Sequence, residues 1–200
     1  MAARGSYAKG VAKRDEILRT VLDVIAENGY RKTSIRELAA AVGLSQTGLL
    51  HYFGTKEELY VEVLRMRDRI DGENYGAGSD PSGAFEVEGD VADGMVDVVR
   101  HNADVPGLVR LYAQFSAEAT DQGHPAGDYF RERYATFRSA VARAIRARQE
   151  RGELPATIDP DRVAALMAAA SDGLQTQWLL DDSIDMADHI EYLWNVLKAG

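Results

Sequence analysis

The chain contains no cysteine. Disulfides and thiolate zinc sites are therefore excluded, and every redox compartment stays chemically open. No run approaches the ~18 apolar residues that a membrane-spanning helix needs. The opening stretch MAARGSYAKG lacks the apolar core of a signal peptide. The expected location is the cytoplasm, away from the membrane. No strictly alternating apolar–polar run appears and none of the Asn-Gly or Asp-Gly pairs lies between two such runs, so no segment reads as a strand. HExxH spacing, a GxSxG elbow and a glycine-rich phosphate loop are absent too. The four histidines (His51, His101, His124 and His189) are scattered. Asp181, Asp182 and Asp185 read as acidic loop surface rather than a metal site. No catalytic residue, metal ligand or cofactor is expected, and the chain is not expected to be an enzyme.

What is present suits a packed helical protein. Hydrophobic residues make up 46% and charged residues 28% of 200, enough to bury a core and far from a disordered composition. The net charge of −9 is unevenly spread. Residues 1–56 hold nine lysines and arginines against five acids, a balance of +4, which leaves −13 for residues 57–200. A basic front end on an acidic body fits a polyanionic partner, and it also fits a plain solvated surface.

Helical spacing recurs along the whole chain. Ile17, Leu18, Val21 and Ile25 share a face of a helix over 11–28 that stops at Asn28-Gly29. Another helix, 57–69, carries Leu59, Val63 and Leu64 inward. It precedes DGENYGAGSDPSG, a Gly/Ser/Asp/Pro stretch read with its neighbour as a linker over 71–84. Pro106, Pro125 and Pro160 lie near helix starts, where proline is tolerated.

Between the first and last of these N-terminal helices the elements are unusually short. Ser34 to Glu37 fits a capping box, although Thr33 can also cap. Gly43 suits the left-handed position past the helix end, and Ser45 can cap a second short helix that ends at Phe53. Thr55 to Glu58 forms another capping box. Two short helices across a glycine turn make a helix-turn-helix, whose second helix lies in the DNA major groove in its most common use. Gln46 can offer adenine a bidentate amide, Ser45 and Thr47 are adaptable donors or acceptors, and Gly48 permits close approach. His51, Tyr52 and Lys56 are candidate phosphate contacts, as are Thr33, Ser34 and Arg36 ahead of them. The basic residues from Arg4 to Arg14 fit either a phosphate-brushing arm or a frayed, solvated terminus.

The span GYRKTSIRELAAAVGLSQTGLLHYFGTKEEL, Gly29 to Leu59, resembles the DNA-binding signature of TetR-type (tetracycline-repressor-like) transcriptional regulators. The likeness supports recognition-helix roles for Ser45, Gln46, Thr47, Gly48, His51 and Tyr52, and a phosphate role for Lys56. Two departures stand out. The family pattern often has Gly then Thr where this chain has Thr47-Gly48. It usually has Tyr at the place of Leu50, where a tyrosine–phosphate contact is therefore lost.

The resemblance implies an all-α plan, with a three-helix helix-turn-helix DNA-binding domain over 1–70 and a larger helical ligand-sensing and dimerisation domain over 85–200. Stripes on two late helices fit a four-helix contact between two chains through Leu166, Ala170, Leu174, Ile190, Leu193, Trp194 and Leu197. The same stripes fit burial inside one chain. Candidate ligand residues are Met95, His101, Tyr112, Phe115, Tyr134, Phe137, Gln177 and Trp178, for each of which a core role is the alternative. The expected partners are a double-stranded DNA operator, a second copy of the chain and an unidentified small-molecule effector. The expected function is a ligand-responsive repressor that binds a pseudo-palindromic operator as a homodimer. Two alternatives stand beside it, a helical small-molecule-binding protein without DNA function and a helical enzyme.

Overall fold

A computed structural model describes residues 2–75 and 93–199. Nine helices lie among the described residues, with no strand between them. They are α1 (Ala2–Asn28), α2 (Ile35–Ala41), α3 (Gln46–Phe53), α4 (Lys56–Tyr75), α5 (Asp93–Asp104), α6 (Pro106–Glu118), α7 (Ala126–Glu150), α8 (Pro160–Trp178) and α9 (Met186–Lys198). None of them is long and apolar enough to cross a membrane.

Two expectations change at the helix ends. The first helix begins at Ala2 rather than near residue 11, so the basic N-terminal run is helical. The expected linker opens inside α4, which continues through Asp71 to Tyr75. There Asp71 is buried, and packing overrides the turn-like composition. Residues 76–84 of that linker lie outside the described residues.

The helices form two compact units that do not follow chain order. One comprises Met1–Arg67 and Val105–Ala126; the other comprises Asp68–Asp104 and Gly127–Gly200. Residues 105–126, expected with the C-terminal helices, therefore belong with α1–α3 and the first part of α4.

In the first unit, α1 packs against α2 and α6, and α2 against α3. Ile17, Val21 and Ile25 are fully buried, as the spacing predicts, together with Leu38, Leu49, Leu59 and Leu64. Helices of seven and eight residues are too short to persist alone in water, so α2 and α3 depend on these contacts. Burying a leucine side chain contributes about 1.5–3 kcal/mol, more than the propensity of either short helix supplies. An aromatic cluster joins three segments. Tyr30 stands edge-on to Tyr60 and Phe115, with centroids 5.8 and 6.4 Å away, and the Tyr60 hydroxyl donates to the Tyr30 carbonyl at 3.2 Å. Burial pushes the Tyr60 phenol well above its ordinary range.

The second unit is built on α5, α7, α8 and α9. Its core joins Val96, Val99, Val141, Ile145, Val163, Met167, Met186, Ile190 and Trp194. Asp159 and Asp185 cap α8 and α9 through their carboxylates, and Pro160 opens α8. Asp68 ties its end of α4 to α7, accepting from the Tyr129 hydroxyl at 2.6 Å and from Arg133 Nε at 3.0 Å.

Candidate DNA-binding interface

The helix-turn-helix assembles from local signals. Ser34 Oγ accepts from the Glu37 N–H at 3.2 Å, and the Glu37 carboxylate accepts from the Ser34 N–H at 2.7 Å. The Ser34 N–H first, and second the Ser34 hydroxyl, which donates to the same carboxylate at 2.7 Å, hold the Glu37 carboxyl below its ordinary range. After Val42 the chain turns at Gly43, whose φ of 69° lies in the left-handed region that a side chain would strain. Ser45 then caps α3, its Oγ accepting from the Gly48 N–H at 3.0 Å.

On α3, Leu49 and Phe53 are buried. Helical spacing places Thr47 and His51 on the opposite side, and both are exposed, as are Ser45, Gln46 and Tyr52. Leu50 is half-buried. Gly48 is half-buried as well, and a Cβ there would stand 3.2 Å from Ser45 Oγ, against the cap itself. The result is a short, capped helix with amide, hydroxyl, imidazole and phenol groups turned outward. That inventory is suited to base edges and phosphates.

The flanking candidates divide. Ser34 and Arg36 are exposed at the start of α2. Thr33 is 5% exposed and its hydroxyl donates to the Gly29 carbonyl at 2.9 Å, so that side chain is inside the fold rather than on the outer surface. Lys56 opens α4, half-buried, with Nζ 5.3 Å from the Tyr60 ring centroid. Beside it Thr55 and Glu58 close the second capping box, Thr55 N–H to Glu58 Oε2 at 2.8 Å. A contact that sequence reasoning missed is Arg31, which donates to Gln114 Oε1 at 2.8 Å and so links the α1–α2 turn to α6. Its 83-residue separation leaves no local signal.

The eight ligand candidates fall in both units. Tyr112 and Phe115 are buried in the first unit on α6, and the rest lie in the second. Met95, Phe137 and Trp178 pack against the second unit's core. The Tyr134 hydroxyl donates to Asp172, His101 lies 5.6 Å from the Tyr75 ring, and Gln177 is exposed. Gln175, also in the second unit, is buried, and its carbonyl oxygen has no hydrogen-bond partner among the described residues. A groove of about 440 Å³ involves α5 and α9, lined by Asp93, Asp97, Arg100, Glu191, Trp194 and Lys198 among others. Its lining is largely ionic, and Arg100 pairs with Asp97 at 3.2 Å, which is unlike the mostly apolar wall of a typical small-molecule site.

The dimer candidates divide similarly. Ile190 and Trp194 are buried in their own unit's core, which removes them from any contact with a second chain. Ala170, Leu174, Leu193 and Leu197 are partly buried against that core. Leu166 is 52% exposed, and it is accompanied by Leu180, Tyr192 and Val196 at 87%, 69% and 52%. Tyr192 and Val196 lie one helical turn apart on α9, a face that the buried stripe concealed.

Comparison with known proteins agrees with a helix-turn-helix followed by a larger helical region. Residues 17–63 match the model of bacterial regulatory proteins of the tetR family, and residues 95–194 match that of the BetI-type transcriptional repressor C-terminal region. HTH-type transcriptional regulator RutR of Escherichia coli (strain K12) is 43% identical over 55 residues, which are 28% of this chain and only 26% of RutR. The A-factor receptor protein of Streptomyces griseus is 24% identical over 197 residues, covering 94% of this chain and 63% of that protein. Among solved structures, a TetR transcription regulator from Haloarcula marismortui superposes with a TM-score of 0.75 at 17% identity, covering 94% of this chain and 97% of that one. A transcriptional regulator from Saccharomonospora viridis, in complex with choline, gives 0.65 at 26% identity, covering 92% and 93%. With one family model on the helix-turn-helix and a second spanning half of the chain, this protein belongs to the TetR family of bacterial regulatory proteins.

Proposed function

We propose that the protein is a ligand-responsive transcriptional repressor that binds a pseudo-palindromic DNA operator as a homodimer and releases it when a small molecule binds. The observation that carries this reading is α3 itself. It is a capped helix of eight residues, held by Leu49 and Phe53, that spends Gln46, Thr47, His51 and Tyr52 on solvent. Buried polar partners do not explain that composition, and base and phosphate contacts do.

Ser45, Gln46, Thr47, Gly48, His51 and Tyr52 read the groove; Ser34, Arg36 and Lys56 hold the backbone. One such helix reads too few base pairs to be specific, so a second copy is required. Leu166, Leu180, Tyr192 and Val196 provide an exposed apolar surface for that copy. Half-sites about 34–36 Å apart are then expected. Residues 1–70 act as the reading module and 85–200 as the sensing and pairing module, with α6 lent to the former. An effector in the sensing helices opposes DNA through a differential affinity of a few kcal/mol, on the order of 10²-fold. Because one structural relative holds choline, small organic cations are the first effector class to screen.

Selection of bound sequences from a random duplex pool at defined salt tests the proposal. Enrichment of an inverted repeat supports specific, two-fold binding. A folded protein that enriches nothing overturns it.

A further inference from the structure

We infer that Arg14 is a positioning residue for the recognition helix rather than a contact to DNA. This rests on the operator reading above and adds a residue to it. From sequence, Arg14 belongs to a basic run with Lys9 and Lys13 that looks like a phosphate-seeking arm. The structure gives it partners on α3 and α4, with 42% of the side chain still exposed. Its guanidinium carbon lies 4.9 Å from the centroid of the Phe53 ring, and its Nη1 lies 2.9 Å from Glu62 Oε2. One side chain on α1 therefore holds the last residue of α3 and a carboxylate of α4.

The chemistry of this contact is specific to arginine. A planar guanidinium can lie on a ring face while its edge donates to a carboxylate, and an ammonium cannot do both in the same geometry. With its face on Phe53 and its charge paired to Glu62, a carboxylate that also lies 3.7 Å from Arg65 Nε, Arg14 has less to offer a phosphate than an extended arm would.

Position matters because α3 is so short. Ser45 fixes its amino end through the cap, and Phe53, 6% exposed, fixes its carboxyl end. The helix is only about 12 Å long at 1.5 Å per residue, so a small shift at Phe53 turns the whole reading face. Base-edge hydrogen bonds tolerate only a few tenths of an ångström, whereas phosphate attraction is far less exacting. Releasing Arg14 should therefore cost sequence-specific binding and spare non-specific binding.

The experiment uses the full-length protein and the operator recovered by selection with the wild type. Affinity for that operator and for an unrelated duplex is measured across a salt series for Arg14→Lys and Arg14→Met, with the active fraction counted by titration. Both variants are expected to bind the operator more weakly, on the order of three- to tenfold. Affinity for the unrelated duplex and both salt slopes should stay unchanged. Glu62→Gln should shift the operator affinity in the same direction by less. A slope that falls by about one in Arg14→Met but not in Arg14→Lys would make Arg14 a phosphate contact and overturn the inference. An equal loss on both duplexes would make it a residue of general stability, and no loss would remove it from recognition; either result also overturns it. A wild type that enriches no motif fails earlier and separately, taking the operator reading with it.

Discussion

Gly107 approaches α1 so closely that a Cβ added to it would stand 2.1 Å from the Ile25 carbonyl oxygen and 3.0 Å from that of Ala26. Both obstacles are backbone, which cannot swing aside like a flexible side chain. Gly107→Ala is expected to push the start of α6 off α1 at a cost of about 1–3 kcal/mol. The melting temperature should fall by roughly 2–4 °C for each kcal/mol in a chain of this size. A variant that melts with the wild type would show that α1 and α6 are not in this contact.

Gln46 and Lys56 should separate base readout from charge. Gln46→Ala is expected to relax preference at one operator position, costing ~1–3 kcal/mol on the preferred base. Lys56→Ala should weaken all duplexes alike and lower the salt slope by about one. A change in base preference on removing Lys56 would refute its phosphate assignment.

Tyr192 and Trp194 are two residues apart and should fail in different ways. Tyr192→Glu places a charge on an exposed face and is expected to yield single chains by light scattering, with helicity retained. Trp194→Ala empties a core position that is 2% exposed, and should cost about 3–5 kcal/mol of stability instead. A Tyr192→Glu protein that keeps the wild-type dimer mass would move the contact to another surface.

The capping box of α2 gives stability a pH dependence with a defined sign. The Ser34 hydrogen bonds lower the folded-state pKa of Glu37 beneath its unfolded value. Their contribution is therefore present above the ordinary glutamate range, near ~4.3, and is lost as pH falls through the depressed folded value. Urea unfolding of Glu37→Gln compared with wild type, at neutral pH and again in that acid window, should show a difference that shrinks on acidification. A difference independent of pH would show that the carboxylate is not engaged.

Much of the reading head is legible from residues alone, because its signals are local. Ser34, Gly43, Ser45 and Thr55 each specify a cap or turn within four residues of themselves, and the structure places helix boundaries at each. The grouping of α6 with α1 was not legible. It depends on Gly107 meeting the α1 backbone, and a missing side chain leaves no periodic trace. The choice between Trp194 and Tyr192 was hidden for another reason. An apolar stripe shows which residues avoid water, and it does not say whether their own core or another chain removes them from it. Thr33 illustrates the same limit for a polar residue, since its hydroxyl reaches back to Gly29 rather than out to solvent.

The caps carry one more consequence. Glu37 sits in the first turn of α2 and Glu57 and Glu58 in that of α4, while α3 has no acid in its first turn and is capped by an uncharged serine. Each helix presents partial positive charge at its amino end. On α2 and α4 a resident carboxylate already neutralises it. Of these three helices, α3 alone leaves that charge open. The groups that stop the helices fraying therefore also set the local field: of these three amino ends, that of α3 is the one whose partial charge stays available to an anion, while α2 and α4 offer the side chains of Arg36 and Lys56 instead.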